Sequence, residues 1–282
     1  MPLDRLRNES ILQRADVAAV AVDTGRGAHV TVQAYAWSAG RLWLIAPTDS
    51  AKVRALRKRS GICISVRHGD DSVVLAGEAE LIDAWPPRPG VASPRLPLGL
   101  AWYFTRNAAL TGGIITDVIT GDMENVTART IICITPKRSL TLVGNAVVAE
   151  SGSWQPTATK ASTRRPHLLP SATAKLPLRA SQLLASATGA SVGWLTPGGP
   201  IVVPSVVHEG VATLSSSVVE RTGRPSGPGA ITVHDSKGNR PSRYAGVMLR
   251  GAIGSDRAAA VTMTVERVTW WDGYRSETVS VS

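Results

Sequence analysis

The chain has 282 residues, 43% of them hydrophobic, and a formal net charge of +10. That length favours two domains over one, and the apolar content is ample for buried cores. No apolar run approaches a membrane span, and two cysteines inside apolar runs (GICISV, TIICIT) read as small core residues of a reducing compartment, not as a disulfide framework or metal site.

The N-terminal stretch MPLDRLRNES lacks the apolar core of a signal peptide, so a soluble, cytoplasmic protein is expected, with no membrane partner. The positive charge suggests polyanions at first sight. Yet the basic residues are dispersed, arginine outnumbers lysine as in a GC-rich coding bias, and no zinc or helix-turn-helix pattern is present, so nucleic acid is not the expected partner.

In chain order, residues 4–14 (DRLRNESILQR) read as a short amphipathic helix with Leu6, Ile11 and Leu12 inward. Val17 to Val22 is an apolar run and hence a buried first strand, and Asp23 to Gly27 is a turn. From Val30, apolar residues alternate with Thr31, Gln33, Tyr35 and Trp37, the period-2 pattern of a strand. Ala39-Gly40 marks the turn into a returning strand, Arg41 to Ile45. Pro47-Thr48-Asp49-Ser50 then supplies cap chemistry for a helix opening near Ala51, carrying Lys52, Arg54, Arg57, Lys58 and Arg59 and ending at Gly61. Ile62 to Arg67 and Ser72 to Ile82 are further strands, the second with a bulge or close approach expected at Gly77.

The junction from Pro47 to Lys52 is where chemistry concentrates. A helix N-terminus with Thr48 and Ser50 hydroxyls and the Lys52 ammonium beside it suits a phosphate. The plain alternative is a capped surface helix with solvated basic residues. Trp85 to Gly99 is proline-rich and irregular, and Leu100 to Leu110 looks helical. There Trp102, Tyr103 and Phe104 either pack on the core or wall a pocket. Val126 to Gly144 gives the last strands of this half. Five scattered histidines have no metal-ligand spacing, so no metal is expected, and no Rossmann or Walker loop occurs.

A hairpin ending in Gly40-Arg41-Leu42-Trp43-Leu44, then Thr48-x-Ser50-x-Lys52, then a glycine-started strand resembles the FMN-binding split β-barrel superfamily. That superfamily comprises pyridoxamine 5'-phosphate oxidase-like and flavin- or deazaflavin-dependent oxidoreductases. The resemblance is best over Ala15 to Asp83. It implies a mainly β fold with short helices, and it implies that Pro47, Thr48, Ser50, Lys52 and Arg57 surround a cofactor phosphate. Thr31, Val32 and Gln33 would line its ring. The implied cofactor is FMN or the 8-hydroxy-5-deazaflavin coenzyme F420, with haem the less favoured choice. The implied activity is an oxidoreductase on a small-molecule substrate, no catalytic residue being identifiable; the alternative is a non-catalytic flavin, deazaflavin or haem carrier. Proline near Val32, common in relatives, is missing.

Ser151 to Leu176 changes composition to Ser, Thr, Pro, Lys and Arg and reads as a linker. The second half then repeats the first in faded form. Thr196 to Gly199 matches the turn at Asp23 to Gly27, Glu209-Gly210 matches Ala39-Gly40, Gly251 matches Gly77, and Met263 to Gly273 aligns with Ile134 to Gly144. No counterpart of Thr48-x-Ser50-x-Lys52 is visible, because SSSVVERTGRPSGPG looks too short and Gly/Pro-rich for the same basic helix. The expectation is two tandem split barrels, residues 1–150 and a reduced 177–282 around a 151–176 linker, forming an intramolecular pseudo-dimer with one retained site.

Overall fold

A computed structural model describes residues 3–83, 96–108, 128–156, 161–162, 176–235, 244–273 and 275–281. The first half runs α1 (Leu3–Arg14), β1 (Val17–Asp23), β2 (Ala28–Ala34), β3 (Ala36–Ser38), β4 (Arg41–Pro47), α2 (Ala51–Leu56), β5 (Gly61–His68), β6 (Asp71–Asp83), α3 (Leu96–Arg106), β7 (Arg129–Val143) and β8 (Ala146–Ser151). The second runs α4 (Leu178–Ala185), β9 (Gly189–Thr196), β10 (Gly199–His208), β11 (Val211–Thr213), α5 (Ser216–Thr222), β12 (Gly227–Asp235), β13 (Ala245–Ser255), β14 (Val261–Asp272) and β15 (Arg275–Ser280).

The first sheet is ordered β2-β1-β5-β6-β7-β4-β3, with β8 added to β7. Because β2 and β3 are one strand broken only at Tyr35, the order begins and ends on the same strand and the sheet curls into a barrel. Tyr35 turns inward at the break, and its hydroxyl donates to the Leu12 carbonyl at 2.7 Å, fastening α1 over the barrel end. The second sheet is ordered β11-β10-β9-β12-β13-β14-β15. Its closure is weaker: only the Thr213–Ala260 bridge joins β11 to the approach of β14, where β4 and β7 share a ladder in the first barrel. This is a mainly β fold of two tandem split barrels, the second reduced.

The turns explain themselves locally. Ala39 and Gly40 both take positive φ (51° and 71°), as do Glu209 and Gly210 (48° and 76°), the paired left-handed geometry of a tight hairpin. Gly77 and Gly251 sit at register shifts: the ladder skips Lys137 opposite one and Glu266 opposite the other. A Cβ on Gly77 would strike the Thr135 carbonyl, and one on Gly251 the equivalent Thr264 carbonyl. The two barrels therefore share the same close approach at matched positions.

One barrel core is filled by Val20, Val22, Leu42, Leu44, Ile62, Ile64 and Ile132. The opposite faces of β1 and β2 (Ala19, Ala21, Val30) join Val192, Trp194, Ile201 and Val202 in a core that both halves share. Gly193 lets that contact close, since a Cβ there would collide with Val30. Polar ties cross the same seam: Thr232 Oγ1 donates to the Val30 carbonyl at 3.1 Å, and the Val202 N–H donates to Cys63 Sγ at 3.3 Å. Burial pushes the Cys63 thiol up to about 12, and Cys133 is also buried. Neither thiol should react with a thiol-labelling reagent in the native protein, and both should react in denaturant; rapid native labelling would contradict the packing.

Several expectations need correcting. Helix α2 stops at Leu56, so Arg57 is its C-cap and Lys58 and Arg59 lie beyond it. Leu6 is half-exposed while Ile11 and Leu12 are buried. Helix α3 starts four residues earlier than expected, and of its aromatics only Tyr103 is buried, with Trp102 53% and Phe104 47% exposed. The stretch SSSVVERTGRPSGPG forms a short helix, α5, with Val218 and Val219 on its buried face and serines in the first turn where α2 carries Lys52. The irregular 85–95 stretch and most of the expected linker lie outside the described residues, although Trp154 Nε1 donates to the Ser139 carbonyl and Arg138 stacks on the Trp154 ring at 4.8 Å. Among the described residues no helix is long and apolar enough to cross a membrane.

Candidate functional site

Strand β2 alternates its side chains across the sheet. Val30 and Val32 turn to the shared core, so Val32 does not face the other candidate residues. His29, Thr31 and Gln33 pair with Val22, Val20 and Ala18, and so lie on the barrel's own face. Helix α2 packs over this region. Ser50 caps it in extended geometry, its Oγ accepting from the Val53 N–H at 3.3 Å, and Val53 and Leu56 bury the helix against the core.

Lys52 leaves the first turn of α2 and dives inward. It is 5% exposed, and its ammonium donates to Gln33 Oε1. The partner is a neutral amide, so no carboxylate offsets the charge, and burial lowers the Lys52 pKa to about 7. Around it, Thr31 Oγ1, Gln33 Nε2 and His29 Nδ1 are buried without a hydrogen-bond partner. Three unsatisfied polar atoms on one strand face are unusual, because each such atom is costly to bury. Burial first, then the charges of Arg250 and Lys52, lower the His29 pKa to about 4, so its imidazole is neutral at physiological pH.

The remaining candidates divide. Thr48 and Arg57 belong to a chain of contacts: Arg57 Nη2 lies 3.0 Å from Asp83, Thr130 Oγ1 donates to Asp83 at 2.8 Å, and the Thr48 and Thr130 hydroxyls are 3.0 Å apart. Thr130 has one proton and gives it to the carboxylate, which leaves Thr48 as the donor in the second bond. This chain braces the turn before α2. Pro47 ends β4 opposite Arg129. The structure thus brings Thr31, Gln33 and Lys52 together, holds Thr48 and Ser50 in structural bonds beside them, and puts Arg57 at the far end of the helix.

Sequence reading missed the contribution of the second half. Arg250 and Arg267 stand opposite each other on β13 and β14, next to the bulge at Gly251. Arg26, in the β1–β2 turn, comes close because Gly27 abuts Pro228, where a Cβ would lie 2.6 Å from the proline Cβ. Burial first, then Arg267 and Arg26, lower the Arg250 pKa, with Glu266 opposing. The available signal was an arginine inside an apolar strand immediately before the matched bulge glycine.

The equivalent corner of the second barrel is built differently. Ser217 stands where Lys52 stands, and its Oγ accepts the Val147 N–H of the first barrel's last hairpin at 2.9 Å. Among the described residues no group of three or more His, Cys, Asp or Glu could hold a metal.

No family model matches the sequence, and no curated protein does. Solved structures do. A heme-binding protein from Mycobacterium smegmatis aligns at 17% identity and TM-score 0.42, over 54% of this chain and 59% of that one. A FAD-binding protein from Mesorhizobium loti aligns at 16% and 0.35, over 48% and 90%. A protein provisionally named a pyridoxamine 5'-phosphate oxidase, from Listeria innocua, aligns at 14% and 0.33, over 49% and 96%. At these scores the similarities bear on neither ligand nor reaction. The strand order, the barrel closed through β2 and β3 and the matched bulges describe the fold, a split β-barrel followed by a reduced second one.

Proposed function

We propose that this chain binds a phosphate-bearing flavin, FMN or its 8-hydroxy-5-deazaflavin relative, along β2, and uses it as an oxidoreductase on a small organic substrate. The observation that carries the reading is the buried, counterion-free Lys52 beside three orphaned polar atoms on one strand face. That donor set fits the group. Lys52 would hold the phosphate, Thr31 and Gln33 would bond the polar edge of the ring, and the guanidiniums of the second barrel would add positive potential. The flavin supplies hydride transfer when bound. The protein's part is to bind, orient and exclude water, with His29 neutral and therefore able both to donate and to accept a hydrogen bond. The two barrels, residues 1–150 and 177–282, act as an intramolecular pseudo-dimer with one working site, since Ser217 at the second corner is already committed to the first barrel.

Lys52→Ala should weaken flavin binding by about 1–3 kcal/mol through loss of a charge-assisted contact. An unchanged dissociation constant would refute the assignment. The pH dependence has a definite sign. An anion raises the Lys52 pKa, so binding takes up a proton, and affinity should fall as pH rises above about 7, where the free protein's Lys52 is neutral. A carrier would share this binding behaviour but would exchange its ligand without net redox turnover when given a reductant and an acceptor.

A further inference from the structure

A cavity of about 420 Å³ lies where the two barrels meet, apart from the Lys52 site. Strand register shows what it is. Ala19 stands opposite Ser65 on β1 and β5, and Ser191 opposite Thr232 on β9 and β12. Counting two residues on, Val17 and Arg67 of the first barrel correspond to Gly189 and His234 of the second. Residues from both members of these matched pairs line the one cavity, so it sits on the pseudo-twofold axis.

The departures from symmetry all make room or add polarity. Where the first barrel has Val17 the second has Gly189, and a Cβ there would lie 2.9 Å from Arg67 Nη1, so the missing side chain admits the guanidinium. Ala19 is matched by Ser191, which adds a hydroxyl. Arg67 is matched by His234, whose pKa burial lowers, so two cations do not face each other. Ser65 is 5% and Ser191 9% exposed, and both line the cavity. Among the described residues no carboxylate lines the cavity; Arg67 Nε donates to the Gly69 carbonyl at 2.9 Å, and Asp70, 3.7 Å from the Arg67 guanidinium, is almost wholly in solvent and competes weakly.

A guanidinium and the hydroxyls of two largely buried serines lining one cavity of ligand size are complementary to an oxyanion. We propose that this inter-barrel cavity is a second binding site, for a compact oxyanion carried by a small molecule as a carboxylate or phosphate group, held by Arg67, Ser65 and Ser191.

Calorimetric titration of the full chain with inorganic phosphate and, separately, with benzoate tests it. The titrations use the Lys52→Met background, which removes the phosphate site of the first barrel; at least one probe should still bind, with affinity reduced roughly tenfold or more when Arg67→Ala is added. Gly189→Val should do the same by installing the side chain that the first barrel carries at this position. The new Cβ would meet the movable end of Arg67 and, at an ordinary 3.5 Å, the Ser205 carbonyl, and a melting curve checks that the variant keeps its fold. Binding of phosphate alone or benzoate alone identifies which oxyanion the cavity takes. Failure of both probes to bind, or binding that neither Arg67→Ala nor Gly189→Val weakens, overturns the proposal. Neither result bears on the flavin reading, which depends on Lys52.

Discussion

Lys52→Met should make the ligand-free protein more stable. The wild-type ammonium is 5% exposed, has only a neutral amide as partner, and has a pKa lowered from 10.5 to about 7. Between those two values the unfolded chain binds more protons than the folded one, so the stability difference rises with pH across that window. Put the other way, burial of Lys52 is destabilising at and below about pH 7, and this loss fades as pH approaches 10.5. At about 1.4 kcal/mol per unit, the shift corresponds to a few kcal/mol. Methionine has similar length and no charge, but it leaves Gln33 Oε1 unpaired, which returns part of the gain. A net increase of about 1–3 kcal/mol near pH 6 is expected, smaller near pH 9. Urea denaturation at both pH values checks it, as a higher midpoint with an unchanged slope. Lower stability in the variant at both pH values would mean that Lys52 is a structural residue, not one held at a cost for a ligand.

Gly77→Ala and Gly251→Ala should each lower stability by roughly 3 kcal/mol or more. At both positions the new methyl meets a backbone carbonyl of the neighbouring strand, Thr135 or Thr264, and these oxygens are held by the ladder. Relief requires opening the bulge, which loosens β6 from β7 or β13 from β14. Gly61→Ala is the control. Its Cβ would lie 3.6 Å from Pro200, an ordinary contact, so its effect should stay within about 0.5 kcal/mol. Because both halves contribute to one shared core, either destabilising variant should move a single unfolding transition. Two separated transitions, with only one moved by each variant, would show that the seam couples the barrels less than its packing implies.

The parts of the fold legible in the sequence were those written in local pattern. A continuous apolar run gave β1, alternation gave β2, the Ala39-Gly40 turn gave the return into β4 and its match at Glu209-Gly210 gave the second hairpin, and the spacing from Met263 to Gly273 matched that from Ile134 to Gly144, both ending on a turn glycine at positive φ. What stayed hidden depends on partners distant in sequence. Helix α5 is short and polar at its start, and burial of Val218 and Val219 in the core shared by both halves favours it. Trp102 and Phe104 looked like core from composition, but helical phase turns only Tyr103 inward. Thr31 and Gln33, named through the resemblance, and Lys52, named from the helix start, do come together in the structure. His29 was not assigned to the site, because its environment comes from Lys52 and from Arg250, more than two hundred residues away. Arg57, which the resemblance placed at the phosphate, is the C-cap at the far end of α2.

The most direct test of the Lys52 site is the stoichiometry of cofactor binding, followed by visible absorption as FMN and the deazaflavin are titrated separately into the full chain. We expect saturable binding of one of them at about one equivalent per chain, abolished or sharply weakened by Lys52→Ala. Two equivalents per chain would mean that the Ser217 corner also binds. No binding of either flavin, or binding indifferent to Lys52, would contradict the central claim and leave the buried lysine without the ligand that its surroundings imply.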